Sequence, residues 1–230
     1  MSRSPNKLIP DDFTPIPSLQ LECDVRAVDQ FSSELDAVAL LVAAGTDLAE
    51  RTGLDADALA AAGFDAEPGS SLVIAQQDRP LVLVGLGSDE PTADSLRDAA
   101  AAAARASAKK GGRLGIEVPP LGLDALTAGQ VITEGARLAR YRYTALQRKP
   151  KEQPLSVLEV KIAGADADQA SQGIDRAAIG VRAASITRDV ANTPAGHLTA
   201  TDFAAVADEL GAKFGFSVRA YDKTELIEMG

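Results

Sequence analysis

The chain has 230 residues, 46% of them hydrophobic and 24% charged, with a formal net charge of -10 at pH 7 and a mean hydropathy of -0.01. That is enough chain for one full α/β domain and something smaller, and its acidity works against polyanionic partners such as nucleic acid or acidic membranes. No run reaches the roughly 18 uninterrupted apolar residues that a membrane span needs. The opening MSRSPNKLIPDDFTPIPS is Pro-rich and polar, lacks the apolar region of a secretory signal, and reads as a floppy tail. Cys23 is the only cysteine, which excludes an intrachain disulfide framework and suits a reducing cytosol. A nucleophilic thiol needs a stabilising neighbour, and the single histidine, His197, is remote in sequence; Cys23 reads as a buried structural thiol. Aromatic content of 4% without Trp points to a core of Val, Leu, Ile and Ala at close helix–sheet separations.

Leu19 to Val25 alternates loosely. The apolar run Leu35 to Val42, closed by Gly45, has the length and texture of a buried strand, and a helix follows over Asp55 to Ala62. Ser71 to Ala75 and Pro80 to Gly87 are two further strand candidates, separated by Gln76-Gln77-Asp78-Arg79 and predicted to be adjacent. The next helix is well marked: Thr92 as cap, Asp94 and Asp98 at its positive end, Lys109 and Lys110 at its negative end, and Gly111-Gly112 as its stop. Its body, Ala99 to Ala104, follows from helix propensity alone.

Leu114 to Val118 predicts another strand, ended by Pro119-Pro120, and Asp124 to Tyr143 an amphipathic helix with Val131, Ile132, Gly135, Leu138 and Ala139 on one face. A basic cluster follows: Arg137, Arg140, Arg142, Arg148, Lys149 and Lys151. Leu155 to Ile162 is strand-like. After Gly164 a long helix carries Ala170, Ile174, Ala177, Val181, Ala184 and Ser185 at the helical period, to about Val190. Asn192-Thr193-Pro194-Ala195-Gly196 is a turn cluster; Thr199 caps a helix with Phe203, Val206, Ala207, Leu210 and Phe214 on one face; Phe216 to Tyr221 alternates like a strand; a last helix starts near Asp222. Strands alternating with helices predict a mainly parallel sheet covered on both faces.

Two stretches resemble the leucine aminopeptidase (cytosol aminopeptidase) family. Leu81 to Gly87, followed by Pro91 to Arg97 and the Ala-rich helix, is similar to the strand, GxG turn and helix of that family's N-terminal domain. Thr187-Arg188-Asp189-Val190-Ala191-Asn192-Thr193-Pro194, continuing through Leu198-Thr199, resembles the R-D-L-x-N-T-P boundary at which a linking helix enters the catalytic domain; Ala200 replaces the usual proline. Glu134 to Tyr143 is similar to the family's G-x-x-L-x-x-Y-x-F helix, and the ending Tyr221 to Gly230 also fits.

The resemblance implies an α/β, macro-domain-like fold with a mainly parallel sheet and helices on both faces, followed by an incomplete second α/β unit. It divides the chain into a disordered tail (1–17), an N-terminal domain with its linking helix (18–190) and a truncated start of the catalytic domain (191–230). For a complete member it implies a cytoplasmic homo-hexamer that removes N-terminal residues from peptide substrates, leucine preferentially, with two divalent ions, manganese or zinc. The region carrying the family's ligands would begin beyond Gly230. No catalytic, cofactor-binding or metal residue is therefore assigned here, and the chain alone is expected to be inactive and a monomer or weak dimer.

Other readings of the residues are weaker. The acidic pairs Asp11-Asp12, Asp55 with Asp57, Asp89-Glu90, and Asp166 with Asp168 fall at turns or helix starts, where capping and solvation explain them; His197 reads as a loop residue. Gly85-Leu86-Gly87 invites a dinucleotide reading, but the third glycine of the pattern would fall at Glu90, so Gly85 and Gly87, like Asn192, Thr193 and Pro194, are read as structural. The alternative function is a stand-alone macro-like module that binds ADP-ribose or a nucleotide, which rests on fold analogy alone. Tyr141 and Tyr143 within the basic cluster invite base stacking, against which the acidity of the whole chain weighs.

Overall fold

The computed structural model describes residues 13–120, 122–147 and 152–230. Six strands, β1 (Asp24–Ala27), β2 (Ala37–Ala43), β3 (Ser71–Ile74), β4 (Leu81–Gly87), β5 (Arg113–Val118) and β6 (Val157–Ile162), form one sheet in the order β1-β6-β5-β2-β4-β3. All neighbours are parallel except β3 and β4, whose antiparallel register sets Leu72 opposite Leu83. The sheet is thus mainly parallel, as the alternation of strands and helices predicts, with the Ser71–Ala75 hairpin arm as its antiparallel edge.

The strands in the middle are apolar throughout because both faces are covered. Every residue of β4 is buried. Alternate residues serve different cores: Ala37, Ala39, Leu41, Val82, Val84, Leu114, Ile116, Leu158 and Val160 point into one, and Val38, Val42, Leu81 and Leu83 into the other. The first core is closed by α3 (Ala93–Ala106) and α4 (Ala125–Ala139), the second by the short α1 (Ala49–Thr52) and α2 (Ala56–Ala61) with Leu48, Leu59 and Phe64. Side chains such as Leu83, Ile116 and Leu158, each 0% exposed, contribute about 1.5 to 3 kcal/mol apiece.

Small residues set the helix spacing. Five residues of α3 are buried, Leu96 and four alanines. The long helix α5 (Ala167–Asn192) approaches α4 so closely that a Cβ on Gly173 would lie 2.0 Å from the Leu126 carbonyl oxygen, and one on Gly129 would lie 2.4 Å from that of Ala170. Helix starts carry the predicted caps. Thr92 forms a capping box with Ser95, and the Asp124 and Asp166 carboxylates accept from Thr127 N and from Asp168 and Gln169 N.

Two expectations need correction. Residues 13–17 are not a loose tail: Ile16 is 1% exposed, and a 3-10 turn, Pro17–Gln20, precedes β1; residues 1–12 lie outside the described residues. Phe216 to Tyr221 forms no strand, because none of the six strands runs beside it to pair with. The incomplete unit after residue 190 therefore consists of two helices, α6 (Ala200–Phe214) and α7 (Lys223–Met229), joined by an irregular link. The sequence signals for both helices hold. Thr199 and Asp222 make capping boxes with Asp202 and Glu225, respectively.

Candidate functional site

The polar residues of the Arg188 to Pro194 motif meet at the C-terminal end of α5. Asp189 is 0% exposed, and its carboxylate accepts from Ser18 N (2.7 Å), Ser18 Oγ (3.0 Å) and the Tyr141 hydroxyl (2.9 Å). A buried carboxylate is tolerated when donors surround it. Arg188 stacks over the Tyr141 ring at 5.5 Å and donates to the Leu138 carbonyl.

Asn192 Nδ2 donates to the Arg188 carbonyl at 2.7 Å and reaches the Tyr141 hydroxyl at 3.3 Å. Thr193 Oγ1 donates to the Asp189 carbonyl at 2.8 Å, lies 3.2 Å from the Pro15 carbonyl oxygen, and pairs with the Tyr143 hydroxyl at 3.0 Å. The Pro194 carbonyl accepts from His197 N and Leu198 N. These contacts tie Pro15 and Ser18, the end of α4 and the end of α5 into one clasp. Asp189, its centre, is the residue that sequence reasoning does not single out. Its signal is position: it continues the inward face of α5 two turns after Val181, where a charge demands buried donors.

Gly85 and Gly87 lie under the loop that precedes β3. A Cβ on Gly85 would fall 2.2 Å from the Glu67 carbonyl oxygen, and Gly87 has φ +83 with Pro68 side-chain atoms 3.0 Å from its Cβ position. Their amides are spoken for: Gly85 N donates to the Ser70 carbonyl and Gly87 N to the Ala66 carbonyl. The depression beside Gly87 is lined by Glu67, Asp89 and Glu90, carboxylates that oppose a phosphate.

The basic cluster is not a flat patch. Arg140 is 4% exposed and donates to the Gly111 and Gln153 carbonyls at 2.8 and 2.6 Å. Arg142 pairs with Glu152 at 3.2 Å. Both tyrosine hydroxyls in the cluster belong to the clasp, and Arg148, Lys149 and Lys151 lie outside the described residues. Cys23 faces the same cleft. Burial pushes its thiol up to about 11, outweighing the pull of Arg137 and Arg140, while Asp24 adds to the rise; the group is a neutral thiol near pH 7.

The acidic pairs do not converge. Among the described residues no group of three or more His, Cys, Asp or Glu side chains is placed to hold a metal ion, and Asp55 and Asp166 are used as helix caps. His197 packs edge-on against Phe13 with ring centroids 5.2 Å apart. No helix among the described residues is long and apolar enough to cross a membrane.

A mostly parallel sheet enclosed by helices, with a long helix leaving it through a polar clasp, defines a three-layer α/β domain, and known proteins share it. The tomato leucine aminopeptidase, in a solved variant, superimposes with a TM-score of 0.77 at 20% identity, over 91% of this chain and 46% of that one. The bottromycin maturation enzyme BotP in complex with Mn gives 0.66 at 29% identity, over 85% of this chain and 40% of that one. The profile of the cytosol aminopeptidase family, N-terminal domain, matches residues 36–150, half of the chain. The chain belongs to that family.

Among its relatives, a probable cytosol aminopeptidase of Rippkaea orientalis is 30% identical over 154 residues, 66% of this chain and 31% of that protein. One of a Synechococcus species is 28% identical over 212 residues, 90% and 42% respectively. The chain spans less than half the length of the curated relatives it matches.

Proposed function

We propose that this chain is the non-catalytic N-terminal domain of a leucyl aminopeptidase, carried through its linking helix into the first helix of the catalytic domain, and that by itself it hydrolyses no peptide. The observation that carries the reading is the match over residues 36–150 to the family's N-terminal domain. The whole protein is then a cytoplasmic homo-hexameric exopeptidase preferring N-terminal leucine, with two manganese or zinc ions in the part that this chain does not include. This chain is a monomer or weak dimer, since the hexamer of the family is built mainly through the catalytic domain.

In the same reading Gly85, Gly87, Asn192, Thr193 and Pro194 are structural. The backbone clash at Gly85, the engaged amides and the clasp support this. The ADP-ribose or nucleotide alternative has against it the carboxylates around the turn after β4. The test is turnover of leucine amide by the purified chain with added manganese or zinc. None is expected, and metal-dependent hydrolysis that co-purifies with the chain through an orthogonal column overturns the proposal.

A further inference from the structure

The cleft between β1, the end of α4 and α5 has a composition that the clasp and the aminopeptidase reading leave unexplained. Its lining includes three arginines, Arg137, Arg140 and Arg142, and one carboxylate, Glu152. Arg142 and Glu152 neutralise one another at 3.2 Å. Carbonyl oxygens take three of the five N–H hydrogens of Arg140 without cancelling its charge, which leaves two for a further acceptor.

Arg137 sits one turn earlier on α4, half-buried; its carbonyl accepts from Arg140 N, and its guanidinium forms no hydrogen bond or ion pair among the described residues. Glu152 and Asp36 attract the Arg140 charge, but among the described residues Glu152 is the one carboxylate lining the cavity that both guanidinium groups face. The pull of a helix C-terminus on cations accounts for the presence of both, Arg137 in the last turn of α4 and Arg140 at its C-cap; it does not account for their sharing a cleft with apolar side chains. The opposite wall is apolar: Leu155 and Val181, 7% and 2% exposed, with the more open Leu21 at the mouth.

We infer that this cleft binds a small monocarboxylate with a short branched aliphatic body, its carboxylate on Arg137 and Arg140 and its alkyl group on Leu21, Leu155 and Val181. Guanidinium groups take carboxylates in paired, charge-assisted hydrogen bonds. The cavity holds about 110 Å³, well under the roughly 300 to 1,000 Å³ of drug-sized or nucleotide ligands. A small acid fits the space, and its alkyl part separates it from an inorganic anion.

The full chain, titrated with 4-methylpentanoate and followed by amide chemical shifts, tests this. Saturable shifts are expected around Cys23, at Arg137 to Arg142 and at Val181. Arg137→Gln is expected to weaken binding about tenfold, the loss of one charge-assisted pair, and Arg137→Lys to restore part of it. Leu21→Ser, at an open position that the fold does not need, is expected to weaken the branched acid but not acetate. The uncharged 4-methylpentanamide is expected not to saturate. The inference is overturned by no saturable shift with the acid, by equal affinity for the amide, or by inorganic phosphate or acetate binding as tightly as the branched acid. Unchanged affinity in a folded Arg137→Gln chain does so as well.

Discussion

Helices α3 and α6 begin alike and end up in different circumstances. Each opens on a threonine capping box, Thr92 with Ser95 and Thr199 with Asp202, and each carries an apolar face at helical spacing. Helix α3 buries Leu96, Ala99, Ala100, Ala103 and Ala104 against the sheet. Helix α6 buries only Val206 and Gly211, α7 buries nothing, and Phe203, Phe214, Phe216, Leu226, Ile227 and Met229 are all at least 40% exposed. Caps and periodicity specify that a helix forms. Only a facing surface converts its apolar stripe into stability.

Hydrogen exchange sharpens this contrast most. Amides in Leu81 to Val84 are expected to exchange near the global unfolding limit, and those in Phe203 to Leu210 at least about 100-fold faster; limited proteolysis should cut first between about residues 191 and 213. Equal protection of the two segments breaks the comparison. Next in size is Asp189→Ala, which strands three half-buried donors and is expected to cost about 3 kcal/mol in urea unfolding. Asp189→Asn, which keeps an acceptor oxygen, should cost less.

Gly85→Ala forces a methyl group against the Ala66–Glu67 backbone and is expected to destabilise by about 2 kcal/mol. Ile227→Ser, at a side chain 70% exposed, should stay within about 0.5 kcal/mol. A separate test is one of pH. The Tyr141 phenol is pushed up to about 12 by burial and, after that, by the Asp189 carboxylate it donates to, whereas the unfolded chain titrates near 10. Its folded-state pKa is the higher, so its contribution is whole below about pH 10 and is lost as pH climbs toward 12. The stability gap between the parent and Tyr141→Phe should narrow over that window.

Much of this was legible in the sequence, for identifiable reasons. The central strands β2, β4, β5 and β6 announce themselves because, buried on both faces, they are continuous apolar runs. The helices α3 to α7 carry caps. What escaped depends on distant partners. The 3-10 turn at Pro17–Gln20 and the four-residue edge strand β1 have weak local patterns and exist because β6 and α5 receive them. The strand expected at Phe216 to Tyr221 has the alternation of a strand and lacks a neighbour to ladder with. Helix α1, four residues long, has too few turns for a period to show. At the clasp, Asn192, Thr193 and Pro194 were readable as a turn. Asp189 was not readable as its centre, since two of the three hydrogen bonds its carboxylate accepts come from Ser18, 171 positions away.

That separation has a consequence for how the chain is made. The first strand pairs with the last, Asp24 opposite Val157, and the turn before it is held by a carboxylate still further downstream. During synthesis at roughly 5 to 20 residues per second, β1 and the Ser18 turn wait on the order of ten seconds for their partners to leave the ribosome. The four inner and far-edge strands β2 to β5 can assemble in that interval. Residues 18–27, though translated before the rest of the sheet, are the last to take their places, and they remain open to a chaperone or protease until the end of α5 arrives.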